Sequence, residues 1–210
     1  MTQRQLHLLF PTPVMVTDLD INVVEKCSKL VVNHITEEQH QSLNRLGICS
    51  VYDNLHLLPE FKDLYKIIND EVLKFFDGYL GIDASDTYMS SMWSNVITNQ
   101  GFHSVHNHPN SFYSGVVYLN VPPATSGDFF FTDPRQAKSM NMFDYKKHNA
   151  LSDRTWWFKQ KTGMMILFPS WLEHGVDRCL IEENEYRVSL SFNYVIDKCN
   201  LSTTQIGRWE

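Results

Sequence analysis

GMMILFPSWLEHGVDRCLIEENEYRVSLSFNYVI, residues 163–196, contains two segments with strand character. GMMILFP (163–169) is a short apolar run opened by glycine and closed by proline, as expected of a buried strand between turns. YRVSLSFNYVI (186–196) alternates, with Val188, Leu190, Phe192 and Tyr194 on one face and Arg187, Ser189, Ser191 and Asn193 on the other. Such a strand packs one face on a core and offers the other to a cavity or to solvent. Further upstream, TYMSSMWSNVIT (87–98), SFYSGVVYLNV (111–121), DFFFT (128–132) and TWWFKQ (155–160) are likewise short and rich in β-branched and aromatic residues. Turn formers in PPATSGD (122–128) and KTG (161–163) punctuate them. Six strands with no helical segment between them predict an antiparallel sandwich or barrel.

Upstream of residue 81 the pattern changes. FPTPVMV (10–16) reads as an extended edge segment, because its two prolines fix φ and remove backbone donors. Val23, Val24, Cys27, Leu30, Val31 and Ile35 recur by threes and fours across 20–35, which predicts an amphipathic helix. A second helix is predicted over 59–80, with Phe61, Leu64, Ile68, Val72, Phe75 and Tyr79 on one face, Pro59 near its first turn, and Gly78 and Gly81 as stops. The polar segment 36–56 between them reads as a long loop. With no internal repeat or linker in evidence, a single domain over 1–210 is expected: an N-terminal segment with supporting helices (1–82), a β core (83–197) and a tail (198–210).

Composition narrows the function classes. The 210 residues are 43% hydrophobic, with nine glycines and eight prolines, too apolar for disorder and too poor in Gly and Pro for a collagen-like chain. No apolar run approaches bilayer length, so no membrane partner is expected. MTQRQLHLLFPTP lacks the long apolar stretch and small-residue cleavage site of a signal peptide. Cys27, Cys49, Cys179 and Cys199 are scattered without CxxC spacing, which predicts reduced thiols in a cytoplasmic setting. A formal charge of −6 without a basic block disfavours a nucleic-acid partner.

Three of the nine histidines fall within HSVHNHP (103–109). In an extended segment His106 and His108 share a face, and two neutral imidazoles there can reach one metal ion. A short polar tract of loop histidines would look the same. His174 follows the Phe168-Pro169 turn, and alone it would read as a structural histidine. Arg187-Val-Ser189 comes thirteen residues later, and alone it would read as a solvent-facing pair. Their ordered combination is more specific: His-x-His, strand, Gly-strand-Phe-Pro, His, then Arg-x-Ser.

On these residues the chain, over roughly 90–197, resembles the Fe(II)- and 2-oxoglutarate-dependent oxygenases. More narrowly, SGVVYLNVPP, DPR (133–135) and FPSWLEHGV…YRVSLSFN resemble a group of such oxygenases from bacteria and phages. The resemblance implies a mainly β fold with N-terminal helices, the double-stranded β-helix (jelly roll, cupin-like). It implies Fe(II) and 2-oxoglutarate as cofactors, with hydroxylation of a C–H bond and release of succinate and CO2. His106 and His174 match the metal histidines of that superfamily. Arg187 and Ser189 match its co-substrate Arg-x-Ser pair, and Tyr118 matches the tyrosine of its YLN strand. Partners implied are O2 and a small-molecule or peptide substrate, with a homodimer allowed for.

One position departs from the pattern. His108 stands where the superfamily carries Asp or Glu. Three arrangements remain open: His108 as third ligand, two protein ligands completed by water or an anion, or a shifted register using His103 with His106, or a carboxylate such as Asp128 or Asp133. Asn95 is a candidate for bonding the co-substrate, against the alternative of a satisfied core amide. Ser114 is expected to face the cavity with Tyr118, since their separation is even. Trp93, Trp171, Phe129, Phe130, Phe131, Trp156 and Trp157 are expected to form core or pocket wall. Asp133-Pro134-Arg135 reads as a structural salt link or a substrate contact, and 136–154 as a substrate lid or a solvated loop. His7, His34, His40, His56 and His148 read as surface residues. Two other functions also fit the fold: a cupin-like three-histidine metal dioxygenase or isomerase without 2-oxoglutarate, and a non-catalytic binding module. The Arg187/Ser189 pair argues against the first, and the complete set of His106, His174 and Arg187 against the second.

Overall fold

A strand closes where its donors and acceptors find a partner, and in this chain every described strand pairs antiparallel. The computed structural model describes residues 4–33, 35–36, 38–39, 41–42, 47–51, 54–123, 127–135 and 145–197. In chain order the elements are β1 (Met15–Asp18), α1 (Ile21–Asn33), β2 (Ile48–Val51), α2 (Lys62–Gly78), β3 (Thr87–Ile97), β4 (His103–His106), β5 (Tyr113–Asn120), β6 (Phe129–Thr132), β7 (Thr155–Phe158), β8 (Met164–Pro169), β9 (His174–Val176) and β10 (Arg187–Ile196). They form a six-stranded sheet, β1-β8-β5-β10-β3-β2, and a four-stranded sheet, β4-β9-β6-β7. This is the jelly-roll arrangement that the strand pattern and the resemblance led us to expect.

The larger sheet is covered on one face by the helices and on the other by the smaller sheet. Val188, Leu190, Phe192 and Tyr194 are fully buried in the cluster that includes Val24, Cys27 and Val31 of α1 and Leu64, Ile68, Val72 and Phe76 of α2. Tyr118, Val116, Ile166 and Phe168 of the large sheet pack with Phe129, Phe131 and Val176 of the small one. The opposite face of β10, beginning with Arg187 and Ser189, therefore lies between the two sheets.

Several expectations change in the folded molecule. Segment 36–56, read as loop, contains the edge strand β2, paired from Ile48 opposite Ile97. Four residues are too few for a periodic signal, and the pairing energy comes from β3. The three- and four-residue strands β4 and β9 escaped notice for the same reason. Tyr79 is 82% exposed and Phe76 takes the buried position instead. Phe76 lies one turn beyond Val72, whereas Tyr79 falls after the last helical residue, where Gly81 adopts φ +63° and turns the chain. Trp156, Trp157 and Trp171 are 42%, 52% and 53% exposed rather than core. β7 is the edge strand of the small sheet, and both its tryptophans escape the core. Trp157 instead donates from Nε1 to Asp177 Oδ2 at 3.0 Å. His56 is half-buried beside Tyr65 rather than on the surface. His34 and His40, and residues 136–144 of the 136–154 insertion, lie outside the described residues.

Candidate active site

Because β10 runs between β5 and β3, its register sets the side chains on the face opposite the helices in rows across the large sheet. Tyr118, Ser189 and Asn95 form one row, Val116, Ser191 and Trp93 the next, and Ser114, Asn193 and Ser91 the third. Arg187 lies inward of the first row and is only 2% exposed. The cavity between the sheets is lined by the first two rows, by Arg187, and by four histidines: His103, His106, His108 and His174.

Pairing of β4 with β9 sets His106 directly opposite His174, residues 68 positions apart in sequence. His108 follows the end of β4, where its backbone N–H donates to Ser170 O at 2.9 Å. One ring nitrogen from each of His106, His108 and His174 lies within 4.8 Å of the others. His108 Nε2 and His174 Nε2 are 3.2 Å apart. Nδ1 of His106 meets Ser104 O at 2.8 Å, and Nδ1 of His174 meets Leu172 O at 2.9 Å. Each bond places the proton on Nδ1 and leaves the Nε2 lone pair for the cluster. Phe129 and Phe168 pack on the His174 ring with centroids 5.4 and 4.6 Å away. Burial, reinforced by the neighbouring imidazoles, lowers His174 to about 3 and His103 and His108 to about 4. All three are neutral at pH 7, the state in which imidazole binds a metal. His103 lines the cavity with its ring 5.8 Å from that of His106, but it is not part of the convergent trio. Neither Asp128 nor Asp133 joins the trio, and Asp133 is held by Arg135 at 2.8 Å, the structural salt link.

The inner end of the cavity is a different environment. Arg187 Nη1 and Gln160 Nε2 both donate to the Gly127 carbonyl, at 2.9 and 2.8 Å. The guanidinium sits 5.3 Å from the centre of the Tyr118 ring. Arg187 Nε and the Tyr118 hydroxyl are both buried without a well-formed hydrogen bond; Gln160 and the Arg187 guanidinium lie beside the hydroxyl without meeting bonding geometry. Burial pushes the Tyr118 phenol up to about 12, so it keeps its proton. Two unpaired buried donors side by side are costly unless an acceptor enters between them. Gly127 fits here because it has φ +94°, and a Cβ would meet the Asp177 carbonyl at 2.9 Å and Cys179 Cα at 3.0 Å.

Asn95 is a satisfied amide that also borders the cavity. Its Oδ1 accepts from Ser50 at 2.8 Å and its Nδ2 donates to Ser191 at 3.1 Å, while the residue also lines the cavity. Ser114 shares the face of Tyr118 but sits two rows away and does not line the cavity. Its hydroxyl bonds Ser170 and Asn193, both at 2.7 Å, so the expected co-substrate contact has no geometric support. Even spacing fixes which face a side chain takes but not how far along the strand it acts. Gln160 and Gly127 were missed. No motif marks Gln160, and Gly127 looked like any other turn glycine.

Residues 91–193, the part of the chain that carries both ends of this cavity, match a family model described as "Putative 2OG-Fe(II) oxygenase". The structure is similar to that of a Pseudomonas putida prolyl-4-hydroxylase, with a TM-score of 0.59 and 13% identity over 88% of this chain and 93% of that one. It is similar also to the viral collagen prolyl hydroxylase of Paramecium bursaria Chlorella virus-1, solved with 2-oxoglutarate, with a TM-score of 0.57 and 12% identity over 88% and 96%. An oxidoreductase of the 2OG-Fe(II) oxygenase family from Burkholderia pseudomallei gives a TM-score of 0.50 and 16% identity over 70% of this chain and 66% of that one. At these identities the likeness is one of fold. No curated protein matches the chain.

Proposed function

We propose that the chain, whose residues 91–193 match a 2OG-Fe(II) oxygenase family model, is a non-haem iron dioxygenase that hydroxylates a C–H bond and releases succinate and CO2. The observation that carries this reading is the pairing, in one cavity, of three convergent imidazoles with a buried arginine and tyrosine whose donors lack acceptors. His106, His108 and His174 would hold Fe(II), with His108 in the position the superfamily gives to a carboxylate. Three neutral imidazoles leave the metal's +2 charge uncompensated, and a 2-oxoglutarate dianion balances it. Arg187 would receive the distal carboxylate through its planar fork, helped by the hydroxyls of Tyr118 and Ser189. Asn95, fixed by Ser50 and Ser191, would border the co-substrate from the β3 side. Fe(II) with 2-oxoglutarate supplies the oxidising power for attack on an unreactive C–H bond. The chain's own part is to fix the ligand geometry, orient the co-substrate and keep water out with Phe129, Phe168 and Val176.

A three-histidine site working without 2-oxoglutarate would give no reason for the unpaired Arg187 Nε and Tyr118 hydroxyl. Anaerobic titration with Fe(II) and 2-oxoglutarate, followed by succinate release in air, tests the reading. Stoichiometric iron lost in His108→Ala, and 2-oxoglutarate affinity lost in Arg187→Ala with iron retained, are the expected results. Full iron occupancy in His108→Ala would remove that residue from the ligand set. Wild-type protein that binds iron but not 2-oxoglutarate would overturn the function.

A further inference from the structure

His103 is one of four histidines that line the cavity, and the convergent trio leaves it out. It stands on β4 opposite Val176 of β9, which in turn stands opposite Phe129 of β6. These three side chains form one row across the small sheet, and all three line the cavity. The next row outward is His106, His174 and Phe131. Two residues inward of Phe129 comes Gly127, whose carbonyl accepts from Arg187 at 2.9 Å. The His103 row therefore lies midway between the trio and the arginine. At a strand rise of ~3.4 Å per residue, each interval is about 7 Å. Arg187 on one side and His106 and His108 on the other all bear electrostatically on the His103 ring. A ligand that bridges the trio and Arg187 must pass it.

Chemistry sets His103 apart from the rest of its row. Val176 and Phe129 are buried apolar side chains, and a third apolar residue would complete their packing. His103 instead brings a half-buried imidazole that forms no hydrogen bond through its ring with any described residue. The other three rings are engaged, His106 with Ser104 O, His174 with Leu172 O, and His108 with His174. A polar ring drawn partly out of water without a protein partner is costly unless a ligand completes it. Its backbone is also firmly placed. Gly175 of β9 lets β4 approach so closely that a Cβ there would meet the His103 carbonyl at 3.0 Å. Imidazole keeps at least one N–H in either neutral tautomer, so His103 presents a donor to the cavity from a fixed strand.

On the reading proposed above, we infer that His103 is a further co-substrate contact, its ring N–H donating to a carboxylate oxygen of 2-oxoglutarate between the metal and Arg187. Such a bond is charge-assisted, and metal binding stays with the trio. Anaerobic calorimetry on protein loaded with Mn(II), a stand-in for iron, measures 2-oxoglutarate affinity without turnover. H103L should bind 2-oxoglutarate about tenfold more weakly, the worth of one hydrogen bond to a charged group, with metal stoichiometry unchanged. H103Q, whose amide restores an N–H at similar reach, should return to within about threefold of wild type. Metal-free H103L should melt at or above the wild-type temperature, because leucine completes the apolar row. Weakened binding with undiminished stability separates a ligand contact from a structural histidine. The inference is overturned if H103L binds 2-oxoglutarate like wild type, if H103Q is as weak as H103L, or if H103L loses metal or melts lower. Failure of the wild type to bind 2-oxoglutarate would instead strike the functional reading beneath it.

Discussion

Gln160 shows how one uncharged side chain can set the position of a charged one. The Gly127 carbonyl accepts from both Gln160 and Arg187, so the amide fixes the acceptor that holds the guanidinium. Gln160→Ala should weaken 2-oxoglutarate binding by about fivefold to tenfold, the worth of roughly one net hydrogen bond, with metal stoichiometry unchanged by calorimetry. Arg187→Lys should weaken it further despite keeping the charge, because an ammonium cannot reproduce the planar fork; equal affinities in the two proteins would show that charge alone suffices. At this scale the sequence was legible where a residue's chemistry is rare. His106, His108, His174 and Arg187 stood out in the motif. A buried glutamine did not, because its role depends on which carbonyl it meets.

Among the elements, β10 carries the most information in its own sequence. The strict alternation from Arg187 to Tyr194 assigned four side chains to the helix-covered core and four to the opposite face, and the pleat enforces that assignment. The short strands β2, β4 and β9 were not legible, since three or four residues carry no period and are strands only through their partners. Helix α2 depends on packing as well. Its hydrophobic face meets the large sheet through Phe76, fully buried, with ring contacts at 5.3 Å to Tyr113 and 5.8 Å to Tyr194. Phe76→Ala should cost about 3–5 kcal/mol in denaturant unfolding by the usual cost of a large core truncation. Tyr79→Ala, at an exposed site, should cost far less. Gly127→Ala should lower stability and 2-oxoglutarate affinity together, because its Cβ would push on the backbone that anchors Arg187.

For the molecule as a whole, the histidine cluster couples the site to stability. His103, His108 and His174 have folded-state values near 4, 4 and 3, below the ordinary 6.5, because burial disfavours their charged forms. Above pH 6.5 neither state takes up these protons. As pH falls from 6.5 towards 4 the unfolded chain gains protons that the folded one refuses, so stability is lost across that window. Thermal melts of the metal-free protein should therefore show a falling Tm between pH 7 and pH 5, reduced in slope by His103→Asn; a flat profile would contradict the buried neutral cluster. The sequence by itself determined the strand-rich class, the two helices and the residue types of a metal and carboxylate site, because periodicity and rare chemistry are local properties. Only the tertiary structure decided that His106 faces His174, that Ser114 stops short of the cavity while Asn95 reaches it, and that Gln160 braces Arg187. Those facts depend on strand register, which pairs residues far apart in the chain through backbone hydrogen bonds and a shared core, and no local pattern encodes it.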